Sequence, residues 1–330
     1  MKKIFALLLS AALLVTLLAA CGGGNTTDTD TDTQEPATDA STTQVEEQEP
    51  DTGDASKDDP LNQDEIGEKE LLVVSFGTSY NDSRRETIGA IEKAVQTAFP
   101  DYSVRRAFTS QIIIDHVKDR DGVTIDNVEQ ALERAVNNGV KTLVVQPTHL
   151  MNGLEYEELT DELAKYSDSF EKIAIGDPLL TSDADFEAVM TAITDATKDA
   201  ADGKTAICFM GHGTTADSNS VYSKMQTLLT DKGFNDYYVG TVEATPSLND
   251  VLAAVQKGNY EKVILRPLMI VAGDHANNDM AGDEDDSWKS TFEKAGYTVD
   301  CQVEGLGQLE AIQQLFVEHA KAAVASAEAE

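Results

Sequence analysis

The stretch Asn127-Val128-Glu129-Gln130-Ala131-Leu132 leading to Val144-Val145-Gln146-Pro147 is answered later in the chain by Ser247-Leu248-Asn249-Asp250-Val251-Leu252 leading to Ile264-Leu265-Arg266-Pro267. Each copy reads as an amphipathic helix, a turn containing Gly139 or Gly258, a short apolar strand and a proline that closes it. Earlier strands match as well: Phe76-Gly77-Thr78 follows one, and Met210-Gly211-His212-Gly213-Thr214 follows the other. A unit repeated in this way predicts two similar lobes, residues 71–200 and 201–330, with the boundary in the Lys198 to Gly203 region.

Working outward, apolar runs at Leu71 to Phe76, Ile173 to Ile175, Thr205 to Met210 and Tyr237 to Val242 read as further strands. Helical spacing occupies Arg84 to Ala98, Glu155 to Tyr166, Asp185 to Ala200 and Leu309 to Ala325. Strands apolar on both faces and separated by helices indicate parallel sheets covered on both sides. The fold class is therefore α/β, two similar lobes with right-handed crossovers. Ligands of such sheets sit beyond the carboxyl ends of the strands, so a cleft between the lobes is the expected site.

Ahead of the lobes, Lys2 and Lys3 precede an uncharged run from Ile4 to Ala20 that closes with Leu18-Ala19-Ala20-Cys21. The run is shorter than the roughly 20 residues of a spanning helix and ends in small residues. Residues 1–21 thus read as a lipoprotein signal peptide whose lipobox Cys21 carries the lipid, which implies an extracytoplasmic protein lipid-anchored to the cell membrane. Residues 22–70, built of Gly, Thr, Asp, Glu, Gln, Ser and Pro, read as a disordered acidic linker. Sixteen acids and two lysines lie between Asn25 and Glu70; of the chain's total of −34, the residues from Leu71 onward carry −22. That balance excludes nucleic acid and broad binding to an anionic bilayer, and favours a cation. Cys208 and Cys301 have no CxxC spacing, so they form no thiolate metal site; whether they pair is left open.

Five histidines occur, at 116, 149, 212, 275 and 319. His149, His212 and His275 each follow a predicted strand, as does Glu243, whereas His116 and His319 fall on predicted helices without polar company. His212, His275 and Glu243 converging on one cleft would suit a borderline divalent metal such as cobalt, zinc or iron(II). Asp274 is placed to orient His275, and Gly211 and Gly213 would let the backbone approach a flat ligand. On spacing alone, satisfied structural histidines at strand ends remain the alternative. No GxxxxGK[ST] loop is present, so no nucleotide is implied.

Several segments together resemble the anaerobic sirohydrochlorin cobaltochelatases, class II chelatases of the CbiK type: Leu72-Val73-Val74-Ser75-Phe76-Gly77-Thr78-Ser79-Tyr80, Arg106-Ala107-Phe108-Thr109-Ser110, His149 with Asn152-Gly153 and Glu155-Tyr156, Met210-Gly211-His212-Gly213, and Pro267 through Ala276 with Asn278-Asp279-Met280-Ala281 and Ser287-Trp288-Lys289. The resemblance covers essentially all of residues 71–330. It implies two Rossmann-like lobes around a tetrapyrrole cleft and a metal held by His212, Glu243 and His275, with His149 in the cleft touching substrate or assisting proton removal. It further implies insertion of Co²⁺, with Fe²⁺ or Ni²⁺ as further candidates, into a sirohydrochlorin-like tetrapyrrole. Such a substrate is polycarboxylated and calls for local basic groups, for which Arg84, Arg85, Arg105, Arg106 and Arg266 are the candidates, Arg106 and Arg266 foremost. The acidic run Asp283-Glu284-Asp285-Asp286 would either relay cations or form a charged loop. Relatives often carry another His shortly after Gly-His-Gly, where this chain has Thr214-Thr215-Ala216-Asp217. A lipoprotein is out of place in a cytoplasmic pathway, so the competing expectations are a surface protein that captures haem, another tetrapyrrole or cobalt without turnover, or an enzyme acting on external tetrapyrroles. A homo-oligomer is compatible with the sequence.

Overall fold

The computed structural model describes residues 51–329, so the expected signal peptide and the linker as far as residue 50 lie outside the described residues. Strands β1 (Lys69–Ser75), β2 (Ser103–Phe108), β3 (Thr142–Pro147) and β4 (Lys172–Ile175) form one sheet in the order β2-β1-β3-β4. Strands β5 (Thr205–Gly211), β6 (Tyr237–Thr241), β7 (Lys262–Pro267) and β8 (Thr298–Cys301) form a second in the order β6-β5-β7-β8. Every strand pair is parallel. The α/β expectation therefore holds, and the central strands β1 and β5 are buried along nearly their whole length, as sheets covered on both faces require.

The repeat that predicts two lobes falls on α4 (Val128–Asn137) with β3 and on α8 (Leu248–Val255) with β7. Both helices start at a reciprocal cap: Asn127 with Gln130, and Ser247 with Asp250. Each such cap satisfies otherwise orphaned N–H groups and contributes about 1 kcal/mol. The remaining helices are α1 (Asn81–Glu86), α2 (Ile88–Ala98), α3 (Gln111–Asp121), α5 (Leu154–Ala164), α6 (Asp183–Thr197), α7 (Ser220–Asp231), α9 (Trp288–Lys294) and α10 (Glu310–Ala329). Among the described residues no helix is long and apolar enough to cross a membrane.

Three features depart from the sequence reading. Strand β2 was not expected because Arg105 and Arg106 interrupt its apolar run, yet both side chains are buried against carboxylates that lie far off in sequence. The boundary near residue 200 separates the sheets but not the helices: α6 packs on the second sheet, with Thr197 Oγ1 2.9 Å from the Tyr237 hydroxyl, whereas α10 returns to cover β3, β4 and α2 of the first. The acidic linker was expected to stay disordered to residue 70, but residues 51–68 are folded onto the first lobe. Arg106 N donates to the Leu61 carbonyl (3.0 Å) and Gln63 Nε2 to the Val104 carbonyl (3.1 Å), which covers the free edge of β2, while Leu61 and the Asp58 carboxylate are buried. Composition signalled disorder there; three buried hydrogen bonds to one carboxylate outweigh it.

Cys208 and Cys301 are both free thiols. They flank Leu265 of β7 in the register, two strand spacings or about 9.5 Å apart, beyond disulfide reach.

Candidate metal centre

The carboxyl edges of the two sheets face each other. Ser83 Oγ of α1 accepts a hydrogen bond from Ala272 N (3.0 Å), Thr78 after β1 lies against Gly273 after β7, and Gly153 after β3 lies against Ser218 after β5. On the second lobe's edge, His212 follows β5, Glu243 follows β6 and His275 sits in the loop after β7. Glu243 N donates to the His212 carbonyl (2.9 Å), extending the β5–β6 ladder by one step and setting the two side chains at adjacent strand tips. One ligand atom from each of His212, Glu243 and His275 lies within 4.8 Å of the others, and the two imidazole centroids are 4.6 Å apart at an interplanar angle of 80°. Small rotations about the side-chain bonds would bring all three to the roughly 2.0–2.2 Å at which imidazole and carboxylate bind a divalent ion. His212 and Glu243 are exposed and His275 is partly so, which leaves the open positions a transferable metal needs.

The ring orientations are fixed from behind. His212 Nδ1 lies 2.8 Å from the Gly213 carbonyl, which can only accept, so Nδ1 carries a proton and Nε2 is the nitrogen that a neutral ring offers to a metal. His275 Nδ1 is 2.7 Å from Asp279 Oδ2, the same arrangement with a carboxylate in place of a carbonyl. The expectation that Asp274 plays this part is corrected: Ala276–Met280 forms one π-helical turn, which returns Asp279 to the His275 ring, while Asp274 accepts from Asn278 Nδ2 (2.7 Å). The small residues beside His212 serve internal packing rather than a ligand. A Cβ on Gly211 would lie 2.1 Å from the Tyr222 ring, and one on Gly213, at φ +90°, would meet Ala244 at 2.9 Å.

A family profile described as cobalt chelatase (CbiK) matches residues 69–325. The chain belongs to the CbiK cobalt chelatase family. It is 38% identical over 251 residues to a protein named sirohydrochlorin cobaltochelatase from Salmonella typhimurium, covering 76% of this chain and 94% of that one. It is 30% identical over 260 residues to sirohydrochlorin cobaltochelatase CbiKC of Nitratidesulfovibrio vulgaris, covering 78% and 91%. The fold is shared with SirB from Bacillus subtilis with Fe³⁺ (TM-score 0.57, 14% identity, 80% of this chain and 98% of that one).

In this chelatase-family chain His149 follows β3 on the opposite lobe. Its two ring nitrogens are shut away from solvent and have no hydrogen-bond partner among the described residues. Burial, opposed only in part by the nearby Glu155 carboxylate, pushes its pKa down to about 4. Such a ring is neutral at pH 7 and a weak proton acceptor, which counts against a general-base role before substrate enters. An unfolded imidazole titrates near 6.5, so between pH 6.5 and 4 the unfolded chain binds more protons and stability falls as the pH falls. The expected loss reaches about 3 kcal/mol across that window. Urea denaturation at pH 7 and pH 4.5 checks it: the difference between the unaltered protein and His149→Gln should shrink at the lower pH, and a constant difference refutes the assignment.

The basic patch expected for substrate carboxylates is not formed by the five arginines considered. Arg106 is 1% exposed and its guanidinium is shared between Glu92 (2.7 Å) and Asp58 (2.7 Å). Arg84 is committed to Asp58 and the Thr78 carbonyl, Arg105 to Glu70, and buried Arg266 to Glu304 and Gln302. Arg85 is partly exposed but pairs with Asp82 and Glu86. The acidic run after residue 282 pairs Asp283 with Lys289 and Asp285 with Lys294, both on α9. His319, expected without polar company, bridges α10 to Asp185 of α6 (3.0 Å), while His116 is exposed on α3.

Proposed function

We propose that the protein inserts a divalent metal, Co²⁺ foremost, into sirohydrochlorin or a closely similar tetrapyrrole, and that it does so outside the cytoplasmic membrane. The observation that carries this is the trio His212, Glu243 and His275, gathered within 4.8 Å beyond the carboxyl ends of β5, β6 and β7. Two imidazoles and one carboxylate suit cobalt, and three protein ligands leave room for pyrrole nitrogens to take over the ion. Across the cleft, three of the four exposed large apolar side chains among the described residues, Phe76, Ile112 and Leu154, stand just beyond β1, β2 and β3. They offer an apolar surface for the face of a flat ring. The ion binds first as a substrate through Nε2 of both histidines and the Glu243 carboxylate. The macrocycle then closes on it: two pyrrole N–H bonds give up their protons to water or, as it leaves the metal, to Glu243, the four ring nitrogens bond to the ion, and its bonds to His212, His275 and Glu243 break. The extracytoplasmic part of the reading rests on Lys2, Lys3, the apolar run to Ala20 and Cys21.

The test is the visible absorbance of sirohydrochlorin mixed with Co²⁺ and catalytic amounts of protein. Metalation over many turnovers, well above the spontaneous rate, supports the enzyme. A spectral change that stops at one equivalent of protein would instead establish a carrier without turnover. Labelled palmitate incorporated by the unaltered chain and not by Cys21→Ala checks the anchor; equal labelling of both would remove it.

A further inference from the structure

Residues 51–58 precede the segment matched by the family profile, yet they are wired into the loop that carries His275. Asp82 N donates to the Thr52 carbonyl (2.9 Å) and Asn81 Nδ2 to the Gly53 carbonyl (3.1 Å), so the segment grips the first turn of α1. The Asp58 carboxylate, 3% exposed, accepts from Arg84 Nε (2.6 Å), Arg106 Nη1 (2.7 Å) and Arg106 Nη2 (3.0 Å). Arg84 Nη1 in turn donates to the Thr78 carbonyl (3.0 Å), and Thr78 Oγ1 lies against Gly273. From the same helix, Ser83 Oγ accepts from Ala272 N (3.0 Å). Gly273 and Ala272 immediately precede Asp274-His275. Two short paths thus lead from Asp58 and α1 across the cleft to one ligand of the trio.

The charge balance shows that Asp58 is built in. Arg84 and Arg106 bring two positive charges into the lobe, and Glu92, the other acid against Arg106, brings one negative charge. The second comes from Asp58, whose carboxyl these two guanidiniums hold below its ordinary range despite the opposing effect of burial. Without it, α1 would hold a buried arginine lacking its nearest carboxylate, and the turn Thr78 to Ser83 would lose the support that presses it against Ala272 and Gly273. The segment also walls a cavity of about 240 Å³ between the lobes, where Asp51 and Thr52 face Tyr80, Ser83, Ala272 and Asn277.

We infer that residues 51–58 form a strap and that Asp58 is a positioning residue for the metal site, holding α1 so that Ser83 and Thr78 set the loop bearing His275. The inference rests on the assignment of His212, Glu243 and His275 as ligands. Failure of that assignment would show separately, as absence of Co²⁺ binding by the unaltered protein.

The measurement is the Co²⁺ dissociation constant of the full chain without tetrapyrrole, at a temperature where each variant is folded, alongside its thermal midpoint. Asp58→Asn should weaken Co²⁺ binding roughly 5-fold or more. Ser83→Ala should weaken it in the same direction, and the double variant should lose less than the two single losses combined, since Asp58 acts partly through the helix that carries Ser83. Glu92→Gln, which disturbs the same buried cluster away from α1, should lower the thermal midpoint and leave the constant unchanged. Rescue of affinity by Asp58→Glu would support positioning over simple loss of stability. If Asp58→Asn and Ser83→Ala are folded and bind Co²⁺ as the unaltered protein does, the strap is structural only and the inference is wrong. Should Asp58→Asn fail to fold, an unchanged constant for Ser83→Ala alone overturns it.

Discussion

Replacing His212 by alanine should lower the rate of sirohydrochlorin metalation by Co²⁺ at least about 100-fold, a loss of about 2.7 kcal/mol of transition-state stabilisation. His275→Ala behaves alike, because each imidazole supplies one of only three protein ligand atoms gathered within 4.8 Å. Asp279→Asn gives an intermediate result. The amide still reaches His275 Nδ1, but it no longer fixes the proton there or raises the basicity of Nε2, and losses on the order of 10-fold are usual for such partners. Asp274→Asn should be close to neutral, since Asp274 accepts from Asn278 rather than from the imidazole. The graded order His212 and His275, then Asp279, then Asp274 is read from initial rates under saturating metal. An order in which Asp274 outranks Asp279 would refute the orientation described above.

Replacing Arg106 by leucine should destabilise the fold by about 3–5 kcal/mol, to be read from urea denaturation near neutral pH. The side chain is 1% exposed and neutralises two carboxylates, Glu92 and Asp58, that are themselves buried. Leucine fills part of the volume and leaves Glu92 with no counter-ion. Burial already pushes the Glu92 carboxyl above its ordinary range, so in the variant it folds only at the expense of taking up a proton or a water. Domains of ordinary stability keep about 5–15 kcal/mol, so the loss is a large share of the whole. Arg85→Leu is the contrast: its pairs with Asp82 and Glu86 are partly exposed, and the change should stay within about 1 kcal/mol. Equal effects at the two positions would contradict the buried-network account.

The residues behind these two predictions also mark what could be read from the chain alone. The convergence of His212, Glu243 and His275 was legible because His212 and Glu243 closely follow apolar strands and His275 lies in the loop after another, and the open edge of a parallel sheet is where such residues converge. The repeat around residues 127–147 and 247–267 was legible because caps, turn glycines and closing prolines are local signals. The arginines were not. Residues such as Arg105 and Arg106 read as surface groups free for a ligand, and only their distant partners Glu70, Glu92 and Asp58 show them to be internal. Asp58 was hidden for the complementary reason: it lies in a stretch whose composition argues for disorder, and the two guanidiniums that order it stand 26 and 48 residues further on. Asp279 was missed because a π-helical turn carries it back to His275, whereas sequence proximity favoured Asp274. The helix exchange between lobes, α6 onto the second sheet and α10 onto the first, likewise leaves no trace in a periodicity that specifies a face but not the partner.

The most direct test of the metal site is anomalous X-ray scattering from crystals of the full chain soaked with Co²⁺ and measured on either side of the cobalt edge. A single strong peak about 2.0–2.2 Å from His212 Nε2, His275 Nε2 and a Glu243 carboxylate oxygen is the predicted result. A peak that engages neither histidine, with none between them, would contradict it.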